Sequence, residues 1–554
     1  MADTKHADGR AIIEPTDPIP ALGRGQWTLT FRPEVETLAP GAAVRISVPP
    51  GFSQPQVENR GAPGFVQVSC DDSAVAVQVA VDGSANDRFD VQTGRDVDPG
   101  VILYIERSPL KPGSALNFIY GAGEAGAYAS PFSGSAVFNV YVCSDGRSFP
   151  ERFFPVAAPP ALPVQPGPPK ELEVTAPSGA EPGTDLILRA LLRDAHGNRC
   201  EGWSGWFSIE SETPGLTAPV SQRQEDPAGS GVNLVVGLPG DLAEGVLRIK
   251  VKEAETGLEA VSNPVLVGQV APFWGDIHAC IPDPDTHQSV LDFELAVGQA
   301  PSPGKVSFHF HASDDVDGGE GDPGPLNLSL PDAGSDEMLP AHLLEVYSCW
   351  GNREYWGARY ADMDPARHPD RTVHAVLSQG IIAGFGAGSN SRVGVGTDAR
   401  RAEPGRGYKG GLTGVFVTSL TRSSLFGALR ERNCYATTGP RIVLKMEVSG
   451  HGMGQRVEVG AADRETMAER HVTVTAHGTD RVDRIEIVRN NGEVCTYRGD
   501  SADVTFAWTD RQDLGSISLP RAMGGGALTC YYFARVIQDD GEIAWTSPVW
   551  FVLR

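Results

Sequence analysis

Short runs in which apolar and polar residues alternate recur along most of this chain. Because successive side chains of a β-strand point to opposite faces of a sheet, such alternation predicts strands with one buried face. Clusters of Gly, Pro and Asp separate the runs, as expected for turns. Between residues 25 and 155 the runs are WTLTF (27–31), VRISV (44–48), AVAVQVAV (74–81), VILYIE (101–106) and AVFNVYV (136–142). We therefore predict a β-sandwich over residues 25–155, after an N-terminal tail of residues 1–24.

The alternation returns twice later in the chain, on either side of a region of different composition. Residues 156–170, VAAPPALPVQPGPPK, contain six prolines and predict a stiff linker. Strand patterns then predict an immunoglobulin-like β-sandwich over residues 171–268 and a C-terminal β-sandwich over residues 441–554. Residues 271–440 have fewer alternating runs, more Gly and His, and a helical pattern in TRSSLFGALRERN. We predict an α/β domain there.

Length, charge and cysteine usage limit the classes of function. The 554 residues need several hydrophobic cores, and the net charge of -24 argues against nucleic acid or an anionic membrane as a partner. The N-terminus lacks the apolar core of a signal peptide, and no run approaches the ~20 apolar residues that span a bilayer. The eight cysteines include no C-x-x-C pair, which is typical of reduced thiols. We expect a cytoplasmic protein that binds a small-molecule substrate. The surface of its β modules is large enough for a homodimer, but no particular residue in the sequence indicates one.

Five segments in the second half of the chain carry a family resemblance. They are FWGDIHAC (273–280), LLEVYSCWGNREYWG (343–357), GFGAGSNSRVG (384–394), RSSLFGALRERNCYATTGPRIVL (422–444) and GEIAWTSPVWF (541–551). Together they resemble DUF3604, a large and mostly uncharacterised family classed as a domain of unknown function, whose core is related to the PHP metal-dependent phosphoesterases. The resemblance covers most of the chain from about residue 165 onward. It implies a multidomain α+β fold in which β-sandwiches flank a small, distorted PHP-like β/α barrel over residues 271–440.

The metal motifs of that superfamily are incomplete in this chain. Its first motif, G-D-L-H-x-H, keeps the first histidine as His278 but has Cys280 in place of the second. Its T-D-H motif appears as SDD (313–315), and its late S-D-N-H motif as SNSR (389–392). Because a guanidinium supplies no lone pair and opposes a bound cation, we predict a degenerate site without a full metal cluster, and we favour no cofactor. The alternative is a retained divalent ion (zinc, manganese or iron) held by His278, Cys280, His311 and Asp315.

Groups that can transfer protons remain. His278 is the predicted general acid or base, because the strand end aims it at the site and an imidazole titrates near neutrality. Asp276 would orient it. Asp315 or Glu345 would share the proton transfer, and Arg392 would replace the metals as a fixed positive charge. Each group also has a structural alternative, such as a histidine packed in the core or an aspartate in a turn.

Aromatic residues in the same segments predict a slot for a flat or bulky organic substrate, although such residues are equally common in cores. The long loop 314–338 is a candidate lid. The predicted substrate-binding residues are Trp274, Tyr347, Trp350, Tyr355, Trp356, His311 and Asn390.

These residues predict a catabolic enzyme that acts on a small aromatic or bulky organic compound by general acid/base chemistry. A lyase or eliminase is favoured, because elimination needs an acid, a base and a charge stabiliser but no activated water. Two alternatives stay open: a metal-dependent phosphoesterase or other hydrolase, and a non-catalytic binding or scaffold protein.

Overall fold

The computed structural model shows a chain built mainly of β-strands. It describes residues 6–82, 99–144, 153–200, 206–210, 216, 232–275, 277, 279–280, 289–293, 306–310, 328–329, 343–360, 372–388, 408–420, 422–463, 465–520 and 527–554. These residues form two compact units. The first comprises the described parts of 1–170 and 193–201, and the second those of 171–192, 202–402 and 406–554. No described helix is both long and apolar enough to cross a lipid bilayer.

The first unit contains four described sheets, and its two larger sheets contribute to one core. Its strands are β1 Arg10–Glu14, β2 Ile19–Pro20, β3 Arg24–Gly25, β4 Trp27–Arg32, β5 Ala43–Ser47, β6 Val66–Cys70, β7 Ala76–Asp82, β8 Gly100–Glu106, β9 Leu116–Tyr120, β10 Ala127–Tyr128, β11 Gly134–Val137, β12 Val140–Cys143, β13 Phe154–Pro155 and β14 Ala161–Gln165. The two larger sheets have the orders β1-β4-β9-β6 and β13-β12-β5-β8-β7. Apolar side chains from both sheets, such as Phe31 and Val101, share one buried cluster.

The structure differs from the predicted tail and linker of this unit. Residues 1–24 include β1, which pairs with β4 and buries Ala11 and Ile13. Residues 156–170 include β14, which pairs with β11 and β2. In β14 the buried Leu162 and Val164 flank an exposed Pro163. Burial of alternate apolar side chains thus makes strands of both segments despite their polar and proline-rich composition.

The second unit contains the remaining elements. Its strands are β15 Glu171–Thr175, β16 Gly179–Ala180, β17 Asp185–Arg193, β18 Phe207–Glu210, β19 Val232–Gly237, β20 Gly245–Leu247, β21 Lys250–Glu253, β22 Glu259–Val261, β23 Val265–Val267, β24 Pro272–Gly275, β25 Ala279–Cys280, β26 Ser289–Phe293, β27 Val306–Phe310, β28 Leu328–Ser329, β29 Leu343–Ser348, β30 Gly351–Asn352, β31 Gly384–Ala387, β32 Leu412–Phe416, β33 Cys434–Thr437, β34 Val443–Val448, β35 His451–Gly452, β36 Arg456–Val459, β37 Arg470–His477, β38 Val482–Arg489, β39 Gly492–Arg498, β40 Asp503–Asp510, β41 Leu519–Pro520, β42 Leu528–Gln538, β43 Ile543–Thr546 and β44 Val549–Leu553. Its α-helices are α1 Val373–Ser378, α2 Arg422–Arg430 and α3 Leu514–Ile517.

One sheet of 13 described strands organises this unit. Its main path is β25-β26-β24-β32-β33-β43-β42-β38-β39, so it draws on strands from residue 272 to residue 553. β33 and β43 pair antiparallel, with Ala436 opposite Trp545. The sheet therefore runs across the domain boundary predicted at residues 440–441.

The predicted α+β class with a PHP-like β/α barrel is wrong. A β/α barrel needs parallel strands, each followed by a helix. Here β24, β32 and β33 are antiparallel neighbours. Among the described residues of 271–440, parallel pairing joins only β28 to β29 and β29 to β31. The described part of this region contains two α-helices, α1 and α2, and both are short.

Candidate functional site

Most of the predicted catalytic residues lie outside the described residues. This holds for Asp276, His278, Asp315 and Arg392, for the predicted substrate contacts His311 and Asn390, and for loop 314–338 apart from β28. Of the predicted metal ligand Cys280, the structure describes the β25 backbone alone. Within the described ranges, no group of three or more His, Cys, Asp or Glu side chains is arranged to hold a metal ion.

Three of the motif segments nevertheless meet in the structure. β29 and β31 pair in parallel, with Glu345 opposite Gly386. Ile277, which follows β24, is buried in one apolar cluster with Leu343 of β29. A Cβ atom on Gly386 would lie 2.3 Å from Cδ1 of Ile277. Because glycine has no Cβ, β31 can approach Ile277 this closely.

Glu345 is the predicted catalytic residue that the structure describes, and it is completely buried. Nη1 of the buried Arg353 lies 3.9 Å from Glu345 Oε2. A carboxylate in an apolar interior needs a compensating charge, and breaking such a buried pair is costly. We expected Arg392 to supply that charge, whereas Arg353 is the cation described beside Glu345.

The predicted substrate aromatics divide between core and surface. Trp274 is buried, with Nε1 donating to Ser178 Oγ at 2.7 Å. Tyr347 is also buried and stacks on Trp545 at 6.2 Å between ring centroids. A register shift between Glu345 and Tyr347 accompanies this packing, and Tyr347 lies in the apolar cluster of Leu344 and Val346. Trp274 and Tyr347 are therefore packed in the interior, and their contact with a substrate stays a prediction.

The other three predicted aromatics reach the surface in different degrees. Trp350 and Tyr355 are half-buried, and Trp356 is 60% exposed. Tyr355 alone of these lines a described pocket.

A buried charged cluster that the sequence did not reveal is centred on Glu354. This completely buried carboxylate accepts hydrogen bonds of 2.7 Å from Arg535 Nη1 and from Trp545 Nε1. His374 Nε2 lies 3.5 Å from Glu354 Oε1. Burial raises the pKa of Glu354, but His374 and Arg535 outweigh it and lower the pKa below its usual value. The carboxyl group is therefore ionised at neutral pH.

Local backbone structure brings Glu354 and His374 together. Thr372 caps α1 by accepting a hydrogen bond from Ala375 N at 3.2 Å. The N–H groups of Val373 and His374, in the first turn, donate to the carbonyls of Arg353 and Glu354 at 2.9 and 3.0 Å. Helix capping and these two bonds fix the start of α1 against the segment that follows β30.

A pocket of about 290 Å³ opens beside this cluster. Its lining residues are Tyr355, His374, Val488, Asn491, Glu493 and Arg535. The rings of Tyr355 and His374 lie 5.3 Å apart, and the Arg535 guanidinium lies 5.6 Å from the Tyr355 centroid. Asn491 Nδ2 donates to the carbonyl of His374 at 2.8 Å. The aromatic ring, the imidazole and the guanidinium thus lie next to one another in the lining of the pocket.

The sequence held a partial signal for this cluster. Glu354 lies in NREYWG and Trp545 in AWTSPVWF, two of the segments that carried the family resemblance. From the first segment, residues 343–357, sequence reasoning selected Glu345 and the aromatics but not Glu354. His374 and Arg535 lie outside all five segments, and nothing in their local sequence marks them.

Comparison with known proteins confirms the DUF3604 part of the resemblance over a limited range. Residues 352–473 match the family model described as "Protein of unknown function (DUF3604)". An uncharacterised protein of Chlamydia pneumoniae is 32% identical over 216 residues, which cover 38% of this chain and 34% of that protein. One of Chlamydia trachomatis serovar D is 30% identical over 224 residues, with the same coverage. The chain spans about a third of the length of these relatives.

Among solved structures, the Escherichia coli adhesin FdeC gives a TM-score of 0.21 at 11% identity, covering 53% of this chain and 75% of that one. A TM-score this low does not indicate a shared fold. The matched range contains Glu354 and His374 of the cluster, whereas Arg535 and Trp545 lie outside it. Over residues 352–473, with Glu354 and His374 inside the range, this chain matches the family DUF3604.

Proposed function

We propose that this chain is an enzyme that acts on a small organic compound by general acid/base chemistry, where Ile277, β29 and β31 meet. The supporting observation is Glu345, a completely buried carboxylate beside Arg353 at the meeting point of three motif segments. Asp276 and His278 are the sequence neighbours of Ile277. Burial of a carboxylate beside a cation is an arrangement that enzymes use to tune proton transfer.

The proposed reaction is an elimination. A base, Glu345 or His278, removes a proton from one carbon of the substrate while a leaving group departs from the adjacent carbon. The electron pair of the C–H bond forms the new double bond, and the leaving group takes a proton from the conjugate acid of the site. A fixed positive charge, from Arg353 or Arg392, stabilises the negative charge that develops. The cytoplasmic location, the lack of a cofactor, the small-molecule substrate and a homodimer stay predictions.

A second candidate function is a metal-dependent hydrolase related to the PHP phosphoesterases. The sequence Gly275-Asp276-Ile277-His278 favours it, because this motif carries metal ligands in that superfamily. His278, Cys280, His311 and Asp315 would be the ligands, and the bound ion would supply an activated water.

The test is turnover by the full chain. Small aromatic compounds with a leaving group next to an acidic C–H bond, and aryl phosphate esters, are incubated with the protein with and without EDTA and followed by mass spectrometry. We expect EDTA-resistant elimination, and incorporation of deuterium from D₂O into unreacted substrate. Glu345→Gln and His278→Asn should each lower the rate by about 100-fold or more, because general acid/base groups contribute ~10²–10⁴. Glu447→Gln, on the exposed side of β34, is the matched control.

The double variant E345Q/R353M removes both charges of the buried pair, which keeps the test valid if E345Q alone unfolds. Undiminished turnover in the folded double variant and in H278N would exclude the acid/base site. Loss of turnover to EDTA, with ester hydrolysis, would support the hydrolase instead.

A further inference from the structure

The turn between β38 and β39 carries the one Asn-Gly sequence of the chain, Asn491-Gly492. Asn490 and Asn491 have φ angles of 48° and 66°, which are typical of a two-residue hairpin turn of type I′. In an Asn-Gly sequence the backbone nitrogen of the glycine can attack the amide carbon of the asparagine side chain, because glycine has no Cβ to hinder the approach. Such asparagines are thermolabile. The turn is therefore a position where a spontaneous covalent change can occur.

Helix α1 holds the carboxamide of Asn491. Asn491 Nδ2 donates to the carbonyl of His374 at 2.8 Å and to Ser378 Oγ at 2.9 Å. Ser378 Oγ donates to the same His374 carbonyl at 2.8 Å, so its hydrogen is already used and both contacts of Nδ2 need an N–H group. This network fixes which end of the carboxamide is the nitrogen. One side chain of the turn thus fastens α1 to the hairpin through two hydrogen bonds.

We propose that Asn491 is a deamidation site that the fold suppresses, and that the product of the reaction releases α1 from the hairpin. The backbone nitrogen of Gly492 loses its proton and bonds to Cγ of Asn491. The Cγ–Nδ2 bond then breaks, and Nδ2 takes up a proton and leaves as ammonia. Water opens the cyclic imide, which leaves either an aspartate or an isoaspartyl link at residue 491. The net reaction consumes a water molecule and exchanges the carboxamide for a carboxylate and an ammonium ion.

The two hydrogen bonds to α1 explain both parts of the proposal. The carboxamide must turn toward the nitrogen of Gly492 to react, and this turn breaks both bonds, so the folded chain reacts more slowly than the unfolded chain. After the reaction the side chain has no N–H group to donate, and its carboxylate faces the carbonyl of His374, which is also an acceptor. Two acceptors repel each other, so α1 loses its attachment to the turn. The site around Glu345 takes no part in this reaction.

Incubation of the full chain in heavy-oxygen water, with and without urea, tests the reaction. The label enters only the molecules that react during the incubation, and peptide mass spectrometry locates it at residue 491. We expect the reaction to be about 10-fold faster or more in urea, the effect of two hydrogen bonds that must break in the folded chain. Gly492→Ala should nearly abolish the reaction in urea. A Cβ atom on Gly492 would have no described neighbour closer than 3.5 Å, so the variant should keep the fold.

Two further variants test the role of α1. Ser378→Ala removes one acceptor of Asn491 Nδ2 and should speed the reaction of the folded chain by about 5-fold. Ser73→Ala, at an exposed serine of the first unit, is the matched control and should leave the rate unchanged. Asn491→Asp introduces the product directly, and backbone hydrogen exchange of residues 376–380 should be about 10-fold faster in it than in the unmodified protein. The rates in G492A and S378A decide the proposal even where N491D does not fold.

The inference is wrong if residue 491 takes up no label in urea, or if the folded and unfolded chains react equally fast. Equal rates in folded S378A and S73A, or unchanged exchange of residues 376–380 in N491D, would overturn the role of α1.

Discussion

The carboxylate of Glu354 accepts a 2.7 Å hydrogen bond from Trp545 Nε1, across 191 positions of sequence. Both side chains are completely buried. The same carboxylate accepts from Arg535, so one ionised group joins the segment after β30 to β42 and β43. A buried charge with several donors stabilises the arrangement only while its donors are present.

Trp545→Phe should therefore destabilise the fold. The variant removes one donor from a buried carboxylate, and we expect a loss of about 1–3 kcal/mol in the free energy of unfolding. Urea unfolding followed by circular dichroism measures it. Trp206→Phe is the control, because Trp206 is 61% exposed and its variant should stay within ~0.5 kcal/mol of the unmodified protein. Equal midpoints for the two variants would contradict the prediction.

Gly386→Ala should be destabilising, whereas Gly427→Ala should not. A methyl group at residue 386 would lie 2.3 Å from Ile277 Cδ1, and overpacking of this kind costs about 1–3 kcal/mol. At residue 427, in α2, nothing lies within 4 Å of an added Cβ, and alanine should stabilise the helix by ~0.5–1 kcal/mol. Thermal unfolding of both variants gives the comparison. A melting temperature that rises in both would show that β31 and Ile277 do not pack as described.

Asp503 should make stability depend on pH below about pH 4. Burial raises the pKa of Asp503, but hydrogen bonds from His477 and Arg248 outweigh it and hold the pKa well below its usual value. A carboxyl with a lowered folded pKa stabilises the fold above its unfolded pKa of ~3.9 and loses that effect as the pH falls toward the folded value. Because the side chain is 42% exposed, we expect Asp503→Asn to cost only about 0.5–1 kcal/mol at neutral pH.

The difference in melting temperature between the unmodified protein and D503N should thus shrink as the pH falls from about 4 to 2. Asp500→Asn, at an exposed position of the same unit, should follow the unmodified protein throughout. A gap between D503N and the unmodified protein that stays constant with pH would contradict the assignment.

Thiol modification should distinguish two classes of cysteine. Burial raises the pKa of the Cys434 and Cys530 thiols to about 12 each, and both side chains are buried. At pH 8 only about one such thiol in ten thousand is a reactive thiolate. We expect N-ethylmaleimide to modify the half-buried Cys70 and Cys495 in the folded protein and to reach Cys434 and Cys530 only in urea. Peptide mass spectrometry identifies the sites, and rapid labelling of Cys434 without denaturant would contradict its burial.

Alternation in the sequence was a good guide to where strands form and a poor guide to how they pair. The run WTLTF became β4, and the late run PVWFVLR contains β44. The same rule applied to RAIIE would have found β1, but residues 1–24 were predicted to be a tail. Proline in β14 was also misleading, because an exposed Pro163 between buried Leu162 and Val164 is compatible with a strand.

The barrel was predicted from the resemblance. The alternation of apolar and polar residues could not correct that prediction, because it does not determine strand direction. Whether neighbouring strands run parallel or antiparallel depends on contacts between distant segments, such as β24 with β32 and β33 with β43. The ion pair of Glu345 with Arg353 is a local contact that sequence reasoning also missed, because it depends on the antiparallel pairing of β29 with β30. The cluster around Glu354 depends wholly on this long-range order.

The sheet that runs from β24 to β44 has a consequence for how this protein can be divided. A fragment ending at Pro440 would lose β43 and leave the backbone N–H and C=O groups of β33 without their neighbour. An exposed strand edge can pair with strands of other copies, so the fragment should aggregate during expression. Recombination that exchanged only residues 441–554 would face the same obstacle, and residues 272–553 are therefore expected to be inherited as a single block.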